Sequence, residues 1–253
     1  MTAPTTLTPR GHVREKTFPI IEIFGPTIQG EGAEAGLPTH FVRLGGCDYR
    51  CSWCDTMYAV DPETVRATAV SMSSDGIAER VDQLSGRPDW VAISGGNPAL
   101  HQLDGLVELL HARGYRVSVE TQGSLWRDWL HMVDRLTISP KPPSSGMSSP
   151  KHLDQFSRFM RRAIARKDVP AVLKIVCFDD VDLDWATERA AEYPDLPLFL
   201  SAGTPVPAVD GLRDAVGIRY RWLCERVAES PALSAARVLP QLHVIAWEGA
   251  KGV

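Results

Sequence analysis

Short apolar runs rich in β-branched residues recur along the chain, with amphipathic stretches between them. The runs at 39–44 (THFVRL), 90–94 (WVAIS), 115–120 (YRVSVE), 135–139 (RLTIS), 172–177 (VLKIVC) and 198–201 (LFLS) read as strands. A further strand runs through 236–239, and residues 17–24 add one at the N-terminal side. The intervening stretches predict helices over 75–84, 100–113, 152–165, 183–193 and 209–228, with Asp75 as an N-cap and Gly114 closing the helix that ends in LVELLHAR. Strands alternating with helices pair in parallel through right-handed crossovers. About six such βα units fall short of the eight that close a barrel. The pattern therefore predicts an α/β fold, a partial, open TIM-type barrel, over one domain at 17–253 preceded by a loosely attached tail at 1–16.

Composition changes this picture little. Of 253 residues, 44% are hydrophobic and 23% charged, ordinary values for a soluble chain with a sizeable core. The net charge of −4 is spread along the sequence and gives no footprint for nucleic acid. No apolar run approaches membrane-spanning length, and MTAPTTLTPRGHVREK lacks the apolar stretch of a signal peptide. These features predict a cytoplasmic protein with no membrane partner. The five cysteines are odd in number, which argues against a disulfide framework and for metal binding.

The loops after the strands carry more information than the strands. GGCDYRCSWC follows the first, GGNP the second, TQG the third, PKPP the fourth and AGTP the sixth. In a parallel sheet all emerge at one rim, where such folds place their chemistry. The stretch 140–150 (PKPPSSGMSSP) reads as an exposed, flexible connector whose composition also suits a lid.

Cys47, Cys51 and Cys54 are spaced C-x3-C-x2-C. Structural zinc usually takes four protein ligands, often from two C-x2-C knuckles, and no second knuckle follows. A cubane iron–sulfur cluster held by three thiolates explains the count better and leaves one iron open to a small molecule. This motif, with Trp53 before its last cysteine, in a chain of βα units, resembles the radical S-adenosylmethionine enzymes. The resemblance implies a [4Fe-4S] cluster whose open iron is chelated by S-adenosylmethionine, cleaved by one electron to a 5′-deoxyadenosyl radical. SGGNP (94–98) is similar to the superfamily's glycine-rich motif, which implies cofactor contacts at Gly95, Gly96 and Asn97, with Asn97 standing where Glu is usual. Glu120, then Ser139, Pro140 and Lys141, and Ser201 and Thr204, match later strand-end contacts to the same cofactor.

FGPTIQGEGAEAGLPTHFVRLGGCDYRCSWCDT, GGNPAL, SPK and VLPQLHVIAWEGAKGV closely resemble the 7-carboxy-7-deazaguanine synthase family. That resemblance implies a lyase acting on 6-carboxy-5,6,7,8-tetrahydropterin in queuosine-type 7-deazapurine biosynthesis. The radical removes a hydrogen at C6, the ring contracts, ammonia leaves and the hydrogen returns. It further implies Mg²⁺ on Thr56, substrate binding by Ile28, Gln29, Gly30, Arg43, Ser94 and His243, a homodimer, and a flavodoxin or ferredoxin as reductant. Glu31 reads either as a pterin contact or as a turn cap. By alternation Arg43 shares a face with Phe41, away from Val42 and Leu44. On a barrel-inward face it needs an anionic partner, a substrate carboxylate or an internal salt bridge, and on an outward face it is simply solvated. Cys177 and Cys224 read as small buried hydrophobes. Two other readings compete: a glycyl-radical activase of the same superfamily, and a zinc-binding interaction module.

Overall fold

The computed structural model describes residues 16–165, 170–205, 211–248, 250 and 252. In chain order the elements are β1 (Thr17–Ile28), β2 (Pro38–Leu44), α1 (Pro62–Thr68), β3 (Val70–Ser73), α2 (Ser74–Asp82), β4 (Trp90–Gly95), α3 (Asp104–Ala112), β5 (Arg116–Thr121) and β6 (Arg135–Ile138). Then follow α4 (Pro150–Ala163), β7 (Ala171–Cys177), α5 (Asp180–Glu192), β8 (Leu198–Ala202), α6 (Leu212–Ala228), β9 (Arg237–Leu239) and α7 (Leu242–Trp247). The expected tail at 1–15 and the expected helix start at Val209 lie outside the described residues.

The nine strands among the described residues join one sheet in the order β3-β1-β2-β4-β5-β6-β7-β8-β9. From β2 to β9 the neighbours are parallel, while β1 and β3 add an antiparallel edge. The fold is the open α/β partial barrel that the strand–helix rhythm predicts. Among the described residues no helix is long and apolar enough to cross a membrane.

Side-chain parity sets what the sheet encloses. Val42 and Leu44, Val91 and Ile93, Val117 and Val119, and Leu173, Ile175 and Cys177 point into the helix-covered core. Their neighbours Phe41 and Arg43, Ala92 and Ser94, Ser118 and Glu120, and Lys174 and Val176 face the cavity inside the sheet's curve. This two-residue period puts large aliphatics under the helices and polar or small groups inside. β7 is buried at every position, Lys174 included.

Three sequence expectations need correction. The N-cap of α2 is Ser73, not Asp75: its hydroxyl accepts from Gly76 N at 3.3 Å, which starts the helix one residue earlier. The helix expected from residue 100 starts at Asp104, because Asn97 Oδ1 accepts from Ala99 N and closes a short 3-10 turn first. Residues 140–150 are no exposed connector. Their 3-10 turn at Pro143–Ser145 packs on the cysteine loop, and Ser145 is fully buried. Ser52 N donates to Ser145 O at 3.0 Å, Ser52 Oγ to Ser144 O at 2.7 Å, and Trp53 Nε1 to Ser144 Oγ at 2.9 Å. The turn is itself held by buried Asp182, which accepts from Ser144 N and Phe178 N at 3.0 Å each.

Candidate active site

Every rim loop from β2 to β9 contributes to a cavity of about 450 Å³. Cys47, Cys51 and Cys54, with Trp53, line one part of it, and Ile28, Gln29, Gly30, Glu31 and His243 line another. Arg43, Thr56, Ser94, Gly95, Gly96, Glu120, Lys141 and Thr204 also line it. Of the residues expected at the site, Asn97, Ser139, Pro140 and Ser201 lie behind its wall.

The three cysteines are free thiols on one short loop. Burial pushes the Cys47 thiol up to about 11, and burial also raises Cys51. Such thiols release their proton to solvent when a metal takes its place on the sulfur. Cys47 Sγ accepts from Tyr49 N at 3.4 Å and from Gln122 Nε2 at 3.9 Å, contacts of the kind that tune a cluster's potential. Among the described residues no three His, Cys, Asp or Glu side chains converge on a single metal ion. Three soft thiolates facing one cavity suit a multi-iron cluster with one open iron. Trp53 packs on Phe178, with ring centroids 5.2 Å apart, and Lys141 Nζ lies 5.8 Å from its ring.

The glycines of SGGNP serve a tighter purpose than ligand access alone. A Cβ on Gly95 falls 2.0 Å from Leu44 O, and one on Gly96 falls 2.0 Å from Gly46 O. Glycine here lets the turn after β4 seat against the backbone that leads into the cysteine loop. Ser94 lines the cavity, and its Oγ is buried with no hydrogen-bond partner among the described residues.

Asn97 has no capacity left for a ligand. Its Nδ2 donates to Asp48 Oδ1 at 2.9 Å and to Ser124 Oγ at 3.0 Å, and its Oδ1 accepts from Thr121 Oγ1 at 2.8 Å and from Ala99 N. The side chain is fully buried, so its expected cofactor contact becomes a brace for Asp48, the residue after Cys47. Gln122 Nε2 holds the same Asp48 oxygen at 2.7 Å. Ser139 is likewise buried and accepts from Lys141 Nζ at 3.0 Å, which orients the lysine. Ser201 is fully buried, and its hydroxyl has no partner among the described residues.

Arg43 forms the internal salt bridge that its parity allowed. Its Nε donates to Glu22 Oε1 at 2.5 Å, and Glu22 also accepts from Tyr58 OH at 2.9 Å. The guanidinium lies between the rings of Phe24 and Tyr58, 5.8 and 5.9 Å from their centroids. This clamp fixes the fork while its cavity side stays open to an anion. Thr56 stands at the N-cap of a 3-10 turn, but its hydroxyl makes no cap bond; it sits 3.7 Å from Cys54 Sγ at the cavity wall.

Glu31 stands at the N-cap of the 3-10 turn Gly32–Glu34, but its side chain makes no cap bond. Its Oε2 lies 2.5 Å from Lys174 Nζ, and its Oε1 accepts from Gln241 Nε2 at 2.6 Å. Lys174 Nζ reaches Glu120 Oε1 and Oε2 at 3.1 and 3.2 Å, and Thr204 Oγ1 donates to Gln241 Oε1. Glu120 and Thr204, expected at the cofactor, line the cavity and are linked to Glu31 through Lys174 and Gln241. Burial pushes the Glu31 carboxyl up, but Lys174, His243 and the two hydrogen bonds outweigh it and hold it at about 2. Burial alone would lower Lys174; Glu120 and Glu31 carry it above the ordinary lysine range. Sequence reading missed Lys174 and Gln241. Parity inside an apolar strand marks the first, and PQLH carries the second.

His243 lies against Gly30. A Cβ on Gly30 falls 2.3 Å from His243 Nδ1 and 3.0 Å from its backbone nitrogen, and Leu242 N donates to Gly30 O at 3.1 Å. Gly30→Ala is expected to displace α7 and cost about 1–3 kcal/mol, the usual range for overpacking. Thermal melting together with the KM for substrate checks this; an unchanged KM would separate His243 from the binding surface.

No family model matches the chain. It is 40% identical over 246 residues to 7-carboxy-7-deazaguanine synthase of Bacillus cereus, covering 93% of this chain and 99% of that one. Identity to the Bacillus subtilis enzyme of the same name is 41% over 244 residues, covering 94% and 99%. In three dimensions it is similar to QueE from Escherichia coli, with a TM-score of 0.61 at 22% identity over 91% of this chain and 95% of that one. It also resembles SuiB of Streptococcus suis bound to S-adenosylmethionine, with a TM-score of 0.51 at 11% identity over 80% of this chain and 50% of that one. These two likenesses speak for the fold. Identity near 40% along nearly the full length of both sequences makes this chain a member of the 7-carboxy-7-deazaguanine synthase family.

Proposed function

We propose that this chain converts 6-carboxy-5,6,7,8-tetrahydropterin to 7-carboxy-7-deazaguanine and ammonia, as a radical S-adenosylmethionine lyase of queuosine-type 7-deazapurine biosynthesis. The observation that carries this reading is one cavity lined by all three cysteines and by the IQGE and His243 segments. Substrate and products differ by no net oxidation, so the reaction fits a cofactor that is regenerated.

The donor set fits a [4Fe-4S] cluster and S-adenosylmethionine: three thiols on one loop and a glycine turn seated against that loop. When bound, the cluster and S-adenosylmethionine supply the one-electron chemistry that removes and returns a hydrogen atom at C6. Cys47, Cys51 and Cys54 hold the cluster. Gly95 and Gly96 offer backbone, and Lys141 a charge, to the cofactor's methionine end. Arg43 binds the substrate carboxylate with its free fork edge while Glu22 and the flanking rings hold it still. Thr56, its hydroxyl free of capping, gives Mg²⁺ one hard oxygen, and substrate oxygens give others. Gln29, Glu31, Ser94 and His243 face the pterin, with Ile28 and Gly30 shaping the wall.

This reading includes a flavodoxin or ferredoxin as reductant and a reducing, cytoplasmic setting for the free thiols. It also includes a homodimer, for which exposed Ile218 on α6 and Ile245 and Trp247 on α7 offer apolar surface. The test is anaerobic incubation of the reconstituted protein with the pterin, S-adenosylmethionine, Mg²⁺ and reductant. Formation of 7-carboxy-7-deazaguanine is expected; its absence, with cluster and cofactor bound, would overturn the reading.

A further inference from the structure

Lys174 is a cation in a strand that is otherwise apolar and buried throughout. Its side chain is 4% exposed and lies on the cavity face of β7. One nitrogen there contacts two carboxylates from distant segments, Glu31 before β2 and Glu120 on β5. Nothing in packing requires this. An apolar residue at the position would match its neighbours, and a buried ion network is seldom the more stable choice.

We propose that Lys174 is a positioning residue for substrate recognition: its ammonium, wedged between Glu31 and Glu120, fixes the two carboxylates as a paired anionic acceptor for the donor edge of a 2-amino-4-oxo pterin ring. The proposal rests on the functional reading above. That edge carries an amino group and a ring N–H, both donors, and an unprotonated carboxylate, which only accepts, can take both. Glu31 and Glu120 both line the cavity. Lys174 spends its hydrogen bonds on them and keeps them from sharing a proton, as close carboxylates do when no cation stands between them. Gln241 fixes the second oxygen of Glu31, so the pair is held from the C-terminal segment as well.

The charged and titratable groups around the pair are Lys174 on β7, His243 on α7, and Glu34, which is ion-paired with Arg135 of β6 at 2.8 Å. Glu34 is pushed up by burial despite that arginine. With Lys174 present, Glu31 is ionised throughout the neutral range, so pterin binding should be flat there. Without it, the two carboxylates face each other with no cation between them, and one of them becomes harder to ionise. Its pKa in the variant lies above its pKa in the wild type, so binding is poorest at low pH and recovers as pH rises.

The experiment compares reconstituted wild type, Lys174→Met and the charge-balanced Glu31→Gln/Lys174→Met, each with iron content confirmed. KM and kcat for 6-carboxytetrahydropterin are measured across about pH 6 to 9. Binding of S-adenosylmethionine is read separately, from its effect on the spectrum of the reduced cluster. Lys174→Met is expected to raise the pterin KM on the order of a hundredfold near pH 7, with kcat changed less than about fivefold. That KM defect should shrink as pH rises, and the cofactor's spectral effect should be unchanged. The double variant should keep a raised KM but lose most of the pH dependence, because its remaining carboxylate no longer faces a charged Glu31 and its more distant neighbour Glu34 is paired with Arg135. If Lys174→Met does not accumulate folded, the double variant, whose interior charge matches the wild type, is the one compared: an unchanged pterin KM in it overturns the proposal. A pH-independent defect in Lys174→Met, or an unchanged KM, overturns it too. Absence of product from the wild type would instead defeat the functional reading.

Discussion

Cys54→Ala is expected to give a folded protein that no longer holds a full cluster and turns over at least about a thousandfold more slowly, since the cofactor carries the chemistry. The fold should survive because the cysteine loop is fastened without iron. Ser52 and Trp53 bond to Ser144 and Ser145, and Asp182 anchors that turn in the β7–α5 connection. Iron content and the visible spectrum after anaerobic reconstitution read the loss, and circular dichroism reads the fold. Cys224→Ala on α6 is the control and should keep its iron, as should Cys177→Ala, whose side chain faces the helix-covered core. A Cys54→Ala protein with a complete cluster and ordinary turnover would break the ligand assignment.

Arg43→Met is expected to lower kcat/KM for the pterin by about 10²–10³-fold, in line with removing one partner of a buried charge pair. The loss should fall on KM and kcat together, since the carboxylate is carried by C6 itself and holding it also aims the C6–H bond that breaks. Arg43→Lys should recover only a small part, because an ammonium lacks the fork and cannot serve Glu22 and a substrate carboxylate together. The cofactor's effect on the reduced cluster should be unchanged in both. An unaltered pterin KM in Arg43→Met would show that the guanidinium serves Glu22 alone.

Much of the fold follows from a two-residue period. Val42 and Leu44 against Phe41 and Arg43 sorts β2 from sequence alone, and the same rule holds for β4, β5 and β7. What escaped was short or polar. β3 reads VSMS, lies half-exposed at the sheet edge and pairs with β1 only, so it gives no apolar signal. α1 is seven residues long with none buried. The cysteine motif and the rim loops were legible because spacing carries their chemistry. The 140–150 turn was not, because Ser144 and Ser145 act through main-chain oxygens and one hydroxyl, and composition cannot show which loop they meet. Asn97 illustrates a similar limit. Its place in SGGNP suggests a ligand contact, while its real partners, Asp48, Ser124 and Thr121, come from segments that only the fold brings together. Lys174 was visible but unread: a lysine at cavity parity in a buried strand requires anions, and Glu31 and Glu120 supply them.

The most direct test of the central claim is a count within a single reaction. The reconstituted holoenzyme is given reductant, Mg²⁺, excess 6-carboxytetrahydropterin and limiting S-adenosylmethionine, and both 7-carboxy-7-deazaguanine and 5′-deoxyadenosine are measured over time. Product should exceed the S-adenosylmethionine supplied, with little 5′-deoxyadenosine accumulating, because the hydrogen taken from C6 is returned. One equivalent of 5′-deoxyadenosine for each product formed, with turnover ending when the S-adenosylmethionine is spent, would contradict it.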